Sequence, residues 1–231
     1  MKEELRGLLR HLLFGHICTS GVRRGLTASL EGPPLELDRD EQRAVLQSIA
    51  WKAGEIMTSD RMRALDPPAR GHLEWSAWIL AAFQTLRPQF DSDESAIDFL
   101  GDAAMRGFNT RSLRLGVWLA LRACRGGRLE RARAMFAAMI RQYGGTFESN
   151  FTQANQRLEF HVTRCFYFDF FKSHDVPALT TVMCRLDHLW FDRIDPAKHG
   201  LRFDMAGYQT LSRGAEQCCF PIVQATVGGT D

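Results

Sequence analysis

Residues Leu158–Cys165, LEFHVTRC, alternate between apolar and polar side chains. This period of two predicts a β-strand with one buried face. The next residues, Phe166–Ser173, predict a helix that follows the strand directly. Pro177 opens a second predicted helix, from Ala178 to about Ile194, because proline is well tolerated in the first helical turn.

Two more alternating stretches lie downstream of these helices. Leu201–Met205 alternates again, as does part of Gly207–Ser212, and Cys218–Val223 predicts a final strand. Between them, Arg213-Gly214 predicts a turn. The resulting order of strand, helix, helix, strand and strand is typical of an α+β fold and not of repeated βαβ units.

The first 150 residues predict mainly helices. Glycines and prolines within residues 20–38 indicate a loop or an extended arm. Helical spacing begins after a cap at Asp38 or Asp40 and continues to the break at Pro67-Pro68. Further helices are predicted at Leu73–Leu86, after the acidic residues 91–94, at Leu113–Ala123 and at Leu129–Tyr143, the last two followed by paired glycines.

We therefore expect an α+β fold in which a helix-rich N-terminal two thirds packs with a small, mainly antiparallel sheet from the C-terminal third. The sequence contains no clear linker, repeat or low-complexity segment. This favours a single domain over residues 1–231, with a mainly helical portion at 1–150 and a mixed portion at 151–231.

Charge and composition narrow the classes of function. The 29 basic and 27 acidic residues nearly cancel, for a net charge of +2. Such a balance argues against nonspecific binding to nucleic acid or to a membrane surface, and it favours a small-molecule substrate or a protein partner.

The N-terminal segment predicts an amphipathic helix. It lacks the apolar core of an export signal, and no stretch of the chain is long and apolar enough for a transmembrane helix, so we expect a cytoplasmic protein. A homodimer is a possible assembly, because the leucine stripe could dock on a second subunit. The stripe consists of Leu5, Leu8, Leu9, Leu12 and Leu13.

Six scattered cysteines fit a reducing compartment, and none of them forms a CxxC pair. Adjacent Cys218 and Cys219 would point to opposite faces of a strand. In the helix after Pro177, Cys184 shares a face with Asp187 and His188. A thiol beside an imidazole can form a reactive thiolate, and a thiol, a carboxylate and an imidazole can equally bind a metal. A structural role in the core is the alternative for each of these side chains.

Four short segments resemble the L-2-amino-thiazoline-4-carboxylic acid hydrolase family. They are Phe160–Cys165, Asp175–Leu179, Met183–Asp187 and Tyr208–Phe220. The resemblance places five residues at the family's motif positions, namely Cys165, Cys184, Asp187, Gly214 and Cys218. Where the family often has an acidic residue after the last cysteine, this chain has Cys219.

The resemblance implies hydrolysis of a C–N or C–S bond in a small heterocyclic carboxylate, as in the opening of a thiazoline ring to N-carbamoyl-L-cysteine. In this hypothesis a thiolate or an activated water attacks the ring carbon, and an arginine holds the substrate carboxylate. The candidate catalytic residues are Cys184, Asp187, Cys165, Cys218 and His188, and the candidate substrate-binding residues are Arg164, Arg185 and His161.

Three alternatives stay open. The sequence requires no cofactor, but Cys165, Cys184 and Cys218 are compatible with a divalent metal that activates the water. The same cysteine-lined pocket could serve a lyase or an isomerase of another small organic acid. The chain could also be a noncatalytic small-molecule-binding protein whose cysteines are structural.

Overall fold

A computed structural model describes residues 19–58, 67–123, 129–141 and 143–225 of the 231-residue chain. The helices are α1 (residues 19–30), α2 (Arg39–Thr58), α3 (Pro67–Leu86), α4 (Asp93–Phe108), α5 (Arg111–Ala123), α6 (Leu129–Ile140), α7 (Phe166–Ser173), α8 (Thr180–Phe191) and α9 (Pro196–His199). The strands are β1 (Glu148–Ala154), β2 (Arg157–Arg164), β3 (Leu201–Phe203) and β4 (Cys218–Gln224). The fold is α+β, as predicted. None of the helices in the described ranges is long and apolar enough to cross a membrane.

Capping contacts confirm two of the predicted helix starts, those of α2 and α4. The helix predicted from Leu73 begins earlier, at Pro67, because proline is well tolerated in the first helical turn. The Asp38 carboxylate accepts hydrogen bonds from the backbone N–H groups of Asp40 and Glu41 at the start of α2, at 2.8 and 2.9 Å. At the start of α4, Ser92 and Ser95 form a reciprocal capping box. Each cap satisfies donors that the first helical turn leaves without a partner inside the helix.

The prediction of a loop or arm over residues 20–38 is wrong for its first half, because residues 19–30 form α1. The glycines that suggested a loop lie instead where α1 crosses α4. A Cβ atom at Gly25 would lie 1.9 Å from the backbone oxygen of Ala103, and one at Gly107 would lie 2.0 Å from the backbone oxygen of Gly21. These glycines therefore allow two helix backbones to meet, which is a use of glycine distinct from turn formation.

The sheet is antiparallel throughout, with the strand order β1-β2-β4-β3. Strands β2, β3 and β4 lie where the alternating stretches predicted them. Sequence reasoning missed β1, whose residues ESNFTQA carry a single large apolar side chain, Phe151. This strand forms one edge of the sheet, so it shows little of the apolar alternation that marks a buried strand.

The predicted strand character of Gly207–Ser212 is also wrong. This stretch forms two short 3-10 turns, at Met205–Gly207 and Leu211–Arg213, with one bridge between Gln209 and Cys219. The turn at Arg213-Gly214 is confirmed, since Gly214 has a φ of 87°. The predicted N-terminal leucine helix and the glycine pair after α5 lie outside the described residues.

The inner face of the sheet packs against the helices. Leu158, Phe160 and Val162 of β2 are buried, as are Phe220 and Ile222 of β4. Between the layers a stack of aromatic rings carries much of the packing, because aromatic pairs at such separations add to simple burial. The stack links Phe136 of α6, Phe160, Phe191 of α8, Phe203 and Phe220, with neighbouring ring centroids 4.1–6.1 Å apart.

Candidate active site

Three thiols and one carboxyl group meet where β2, α8 and β4 approach one another. Cys165 lies between β2 and α7, Cys184 and Asp187 lie one turn apart on α8, and Cys218 begins β4. Each of the three cysteines lies close enough to Asp187 for its charge to act on the thiol. We call these four residues the thiol cluster. The segments that sequence reasoning singled out are thus brought together at one place.

The segment after β3 forms a wall of the thiol cluster. The Leu211 N–H donates to the sulfur of Cys218 at 3.4 Å, and the Ser212 hydroxyl lies 3.5 Å from the sulfur of Cys184. The hydroxyl of Thr210 in turn lies 3.0 Å from that of Ser212. Sequence reasoning did not single out these hydroxyls, although both fall inside the Tyr208–Phe220 resemblance, which was the available signal.

The three thiols are held in their neutral form near pH 7. Burial raises the pKa of Cys165 to about 12, although the N–H groups at the start of α7 oppose the shift. Burial also raises the pKa of Cys218 to about 11. The pKa of Cys184 lies well above its usual value because of burial and of the nearby Asp187 charge. None of these thiols is therefore a preformed thiolate nucleophile.

Asp187 behaves differently from an ordinary surface carboxylate. Burial raises the pKa of its carboxyl group from 3.8 to about 7. Within the described residues, no hydrogen bond or ion pair reaches this carboxyl group to offset the cost of burying its charge. A group that titrates near neutral pH in a partly exposed site has the properties of a general acid or base.

Three other candidate residues, His188, Arg164 and Arg185, each pair with a carboxylate outside the thiol cluster. His188 pairs with Asp192 at 3.0 Å and packs edge-on against the ring of Tyr208. Arg164 faces Asp169 and Glu148, at 3.3 and 3.6 Å. Arg185 binds two carboxylates of α4, those of Asp98 and Asp102.

His161 lies on the outer face of the sheet, opposite the thiol cluster. On β2 it alternates with Phe160 and Val162, which face the core. Cys219 shares this outer face, so the expectation that Cys218 and Cys219 point to opposite faces is confirmed. In the described ranges, one group of three potential metal ligands has its ligand atoms within 4.8 Å of one another, and it consists of Glu159, His161 and Cys219.

A surface cavity of about 600 Å³ lies at the end of the sheet, near Arg157, Arg202 and Asp204. Its lining includes none of the thiol cluster. The thiol cluster itself is partly open, since Cys165, Cys184 and Asp187 are half-buried and not fully enclosed.

The fold and the thiol cluster define an α+β protein with a site lined by cysteines and a titratable carboxyl group. The family model for L-2-amino-thiazoline-4-carboxylic acid hydrolase matches residues 72–222, which include all four cluster residues and the whole sheet apart from the last residues of β4. The chain belongs to this family, whose name indicates a hydrolase. Comparisons with curated proteins and with solved structures gave no match.

Proposed function

We propose that this protein hydrolyses a C–S or C–N bond in a small heterocyclic carboxylate such as L-2-amino-thiazoline-4-carboxylate, with Asp187 as the general base. The observation that carries the proposal is the position of Asp187, one turn from Cys184 on α8 and near the thiols of Cys165 and Cys218, where burial raises the pKa of its carboxyl group to about 7. Membership of the family supports the hydrolytic chemistry.

The reaction balances with one water and no further reactant. The Asp187 carboxylate takes a proton from water as the oxygen adds to the ring carbon that lies between nitrogen and sulfur. The C–S bond then breaks, and sulfur leaves with its electron pair. Asp187 returns the proton to the leaving sulfur, so the products are a carbamoyl group and a free thiol, and the carboxylate is restored.

The neutral thiols support water as the nucleophile. A thiol with a pKa near 11 is ionised at pH 7 in only about one molecule in 10⁴. Cys184 and Cys218 would instead form a weakly polar wall around the ring sulfur, together with the Ser212 hydroxyl. Attack by Cys184 with Asp187 as its base is the competing route, and it would pass through a covalent isothiourea that water later releases.

Mass spectrometry of the reaction distinguishes these routes. The purified protein is incubated with L-2-amino-thiazoline-4-carboxylate, and a product one water heavier than the substrate is sought. Under the proposal the wild type and Cys184→Ser form this product, whereas Asp187→Asn does not. Asp102→Asn removes an exposed carboxylate of α4 and serves as the control.

Two other results would each contradict the proposal in a distinct way. Loss of activity in Cys184→Ser, with an adduct on Cys184 in the wild type, would establish the covalent route. Absence of turnover in the wild type would exclude this substrate. With another small acid, a product of unchanged mass would then favour an isomerase, and two fragments whose masses sum to that of the substrate would favour a lyase. Saturable binding without any product would favour a binding protein.

A further inference from the structure

The outer face of the sheet carries a second group of chemically active side chains, separate from the thiol cluster. Glu159 and His161 are two residues apart on β2, so their side chains leave the same face. Cys219 lies directly opposite His161 on the neighbouring strand β4. All three ligand atoms lie within 4.8 Å of one another.

The backbone pairing brings His161 and Cys219 especially close. The N–H and C=O of Cys219 both bond to Gln209, at 2.9 and 3.2 Å, and so point away from β2. His161 and Cys219 therefore form a non-hydrogen-bonded pair of the antiparallel ladder, the type in which facing side chains approach most closely. Strand pairing on one side and the Gln209 bridge on the other hold Cys219 in place.

The distance between two of the three ligand atoms matches the needs of a tetrahedral ion. The Nε2 atom of His161 lies 3.3 Å from the Oε2 atom of Glu159. In a tetrahedral zinc site with Zn–N and Zn–O bonds of about 2.0–2.1 Å, the edge between two such ligands measures roughly 3.3 Å. The spacing of these two atoms is therefore already that of two zinc ligands.

We propose that Glu159, His161 and Cys219 bind a divalent cation of the zinc class. A set of one imidazole nitrogen, one thiolate sulfur and one carboxylate oxygen suits Zn²⁺ or Co²⁺ and does not suit Mg²⁺ or Ca²⁺, which select oxygen ligands. Three protein ligands leave a fourth position for water or another small ligand. This site is independent of the proposed hydrolysis at the thiol cluster.

Surrounding side chains contact two of the three ligands, His161 and Glu159. The side-chain nitrogen of Gln217 lies 3.2 Å from Nδ1 of His161. Reversal of this amide would place its oxygen there, where it would accept the Nδ1 proton and leave the Nε2 lone pair for the ion. Thr152 donates to Oε2 of Glu159 at 3.2 Å.

A network of ion pairs also fixes the position of Glu159 on this face. Arg157 binds the other oxygen of Glu159 at 2.7 Å, and it also binds Asp204 at 2.6 Å. A divalent ion at this site would stabilise the thiolate form of Cys219.

Cobalt titration of the metal-stripped full-length protein tests the proposal. We expect one equivalent of Co²⁺ to bind and to produce sulfur-to-cobalt charge-transfer absorption together with tetrahedral d–d bands. Cys219→Ser should lose the charge-transfer band, and it should weaken binding by about 100-fold or more. His161→Gln should weaken binding to a similar degree, and circular dichroism checks that both variants are folded.

The adjacent cysteine provides the matched control. Cys218→Ser changes the next residue of the same strand but faces the thiol cluster, so it should keep the absorption and the affinity. If Cys218→Ser or Cys184→Ser abolishes the band while Cys219→Ser keeps it, the metal belongs to the thiol cluster and the proposal is wrong. Absence of Co²⁺ and Zn²⁺ binding by the folded wild type at millimolar metal also overturns it. Neither result depends on turnover, so failure here is distinguishable from failure of the proposed hydrolysis.

Discussion

Asp187 and Cys184 lie three residues apart on one face of α8, and the charge of the carboxylate acts directly on the thiol. Each group makes the ionised form of the other less favourable, because both become anions when they lose a proton. At neutral pH, therefore, the Asp187 carboxyl group and the Cys184 thiol are not both ionised. Since burial raises the pKa of Asp187 only to about 7 and that of Cys184 well above 9.0, the carboxyl group ionises first.

The raised pKa of Asp187 predicts an unusual dependence of stability on pH. Unfolding restores a carboxyl pKa near 3.8, so between about pH 4 and pH 7 the folded protein holds a proton that the unfolded chain releases. Stability conferred by this group therefore falls as the pH rises to 7 and stays low above it. Asp187→Asn cannot ionise, and we expect it to be more stable than the wild type at pH 8 by about 1–2 kcal/mol, after discounting for partial exposure.

Urea denaturation of both proteins at pH 5 and pH 8 measures this difference. Other titrating groups are common to both proteins, so they cancel in the comparison. The variant's advantage should shrink markedly at pH 5. An Asp187→Asn protein that is less stable than the wild type at pH 8 would show that the carboxylate has a favourable partner.

The same carboxyl group predicts the pH dependence of turnover. If Asp187 acts as a base, kcat/KM should rise about tenfold per pH unit below pH 7 and level off above it, because only the ionised form accepts a proton. Steady-state kinetics between pH 5 and pH 9 test this profile. A rate that falls through pH 7 would instead identify the protonated group as the active form, with Asp187 as an acid.

We expect the thiols of the thiol cluster to react slowly with alkylating reagents near neutral pH. The raised pKa values of Cys165 and Cys218 predict iodoacetamide labelling at pH 7 that is slower than in the urea-unfolded chain by roughly two orders of magnitude or more. Peptide mass spectrometry resolves each cysteine. Labelling of the native protein should accelerate steadily up to about pH 11. Rapid labelling of Cys184 at pH 7, blocked by ligand, would point to an activated nucleophile.

The crossing of α1 and α4 should tolerate no side chain at Gly25. An added methyl group would meet the backbone oxygen of Ala103 at 1.9 Å, and two helix backbones would have to separate. We expect Gly25→Ala to lower the free energy of unfolding by about 2–4 kcal/mol.

Gly54 on α2 is the matched control for this experiment, because an added Cβ there meets no atom within 4 Å. Gly54→Ala should stabilise the protein by about 0.5–1 kcal/mol, since alanine is the better helix former. Denaturant melts of the two variants should therefore shift in opposite directions. A neutral Gly25→Ala would mean that α1 can slide away from α4 at little cost.

The periodicity of apolar residues correctly predicted the elements that bury one face and leave the other face more exposed. Strand β2 alternates in sequence because one face packs against helices, and α7 was predicted with the bounds that it has, Phe166–Ser173. The prediction failed where tertiary contacts override local pattern. From sequence alone, Gly21 and Gly25 are typical of a loop. In the structure they lie in a helix, against residues of α4 that are distant in sequence.

The thiol cluster was partly predictable for a similar reason. The i,i+3 spacing placed Cys184 beside Asp187, and the resemblance added Cys165 and Cys218. Spacing alone gives no distance between segments, so it could not show that His161 leaves the opposite face of the sheet. Nor could it show that burial keeps the cysteines as neutral thiols, because desolvation depends on the whole of the surrounding fold.

The adjacent residues Cys218 and Cys219 of β4 face opposite sides of the sheet, Cys218 the thiol cluster and Cys219 the group with Glu159 and His161. A substitution at either position can alter one surface and leave the other intact, so the two can diverge independently. An inserted or deleted residue within β4 has the reverse effect, since it would exchange the two faces for every residue beyond it. The length of the strand should therefore stay fixed over evolutionary time.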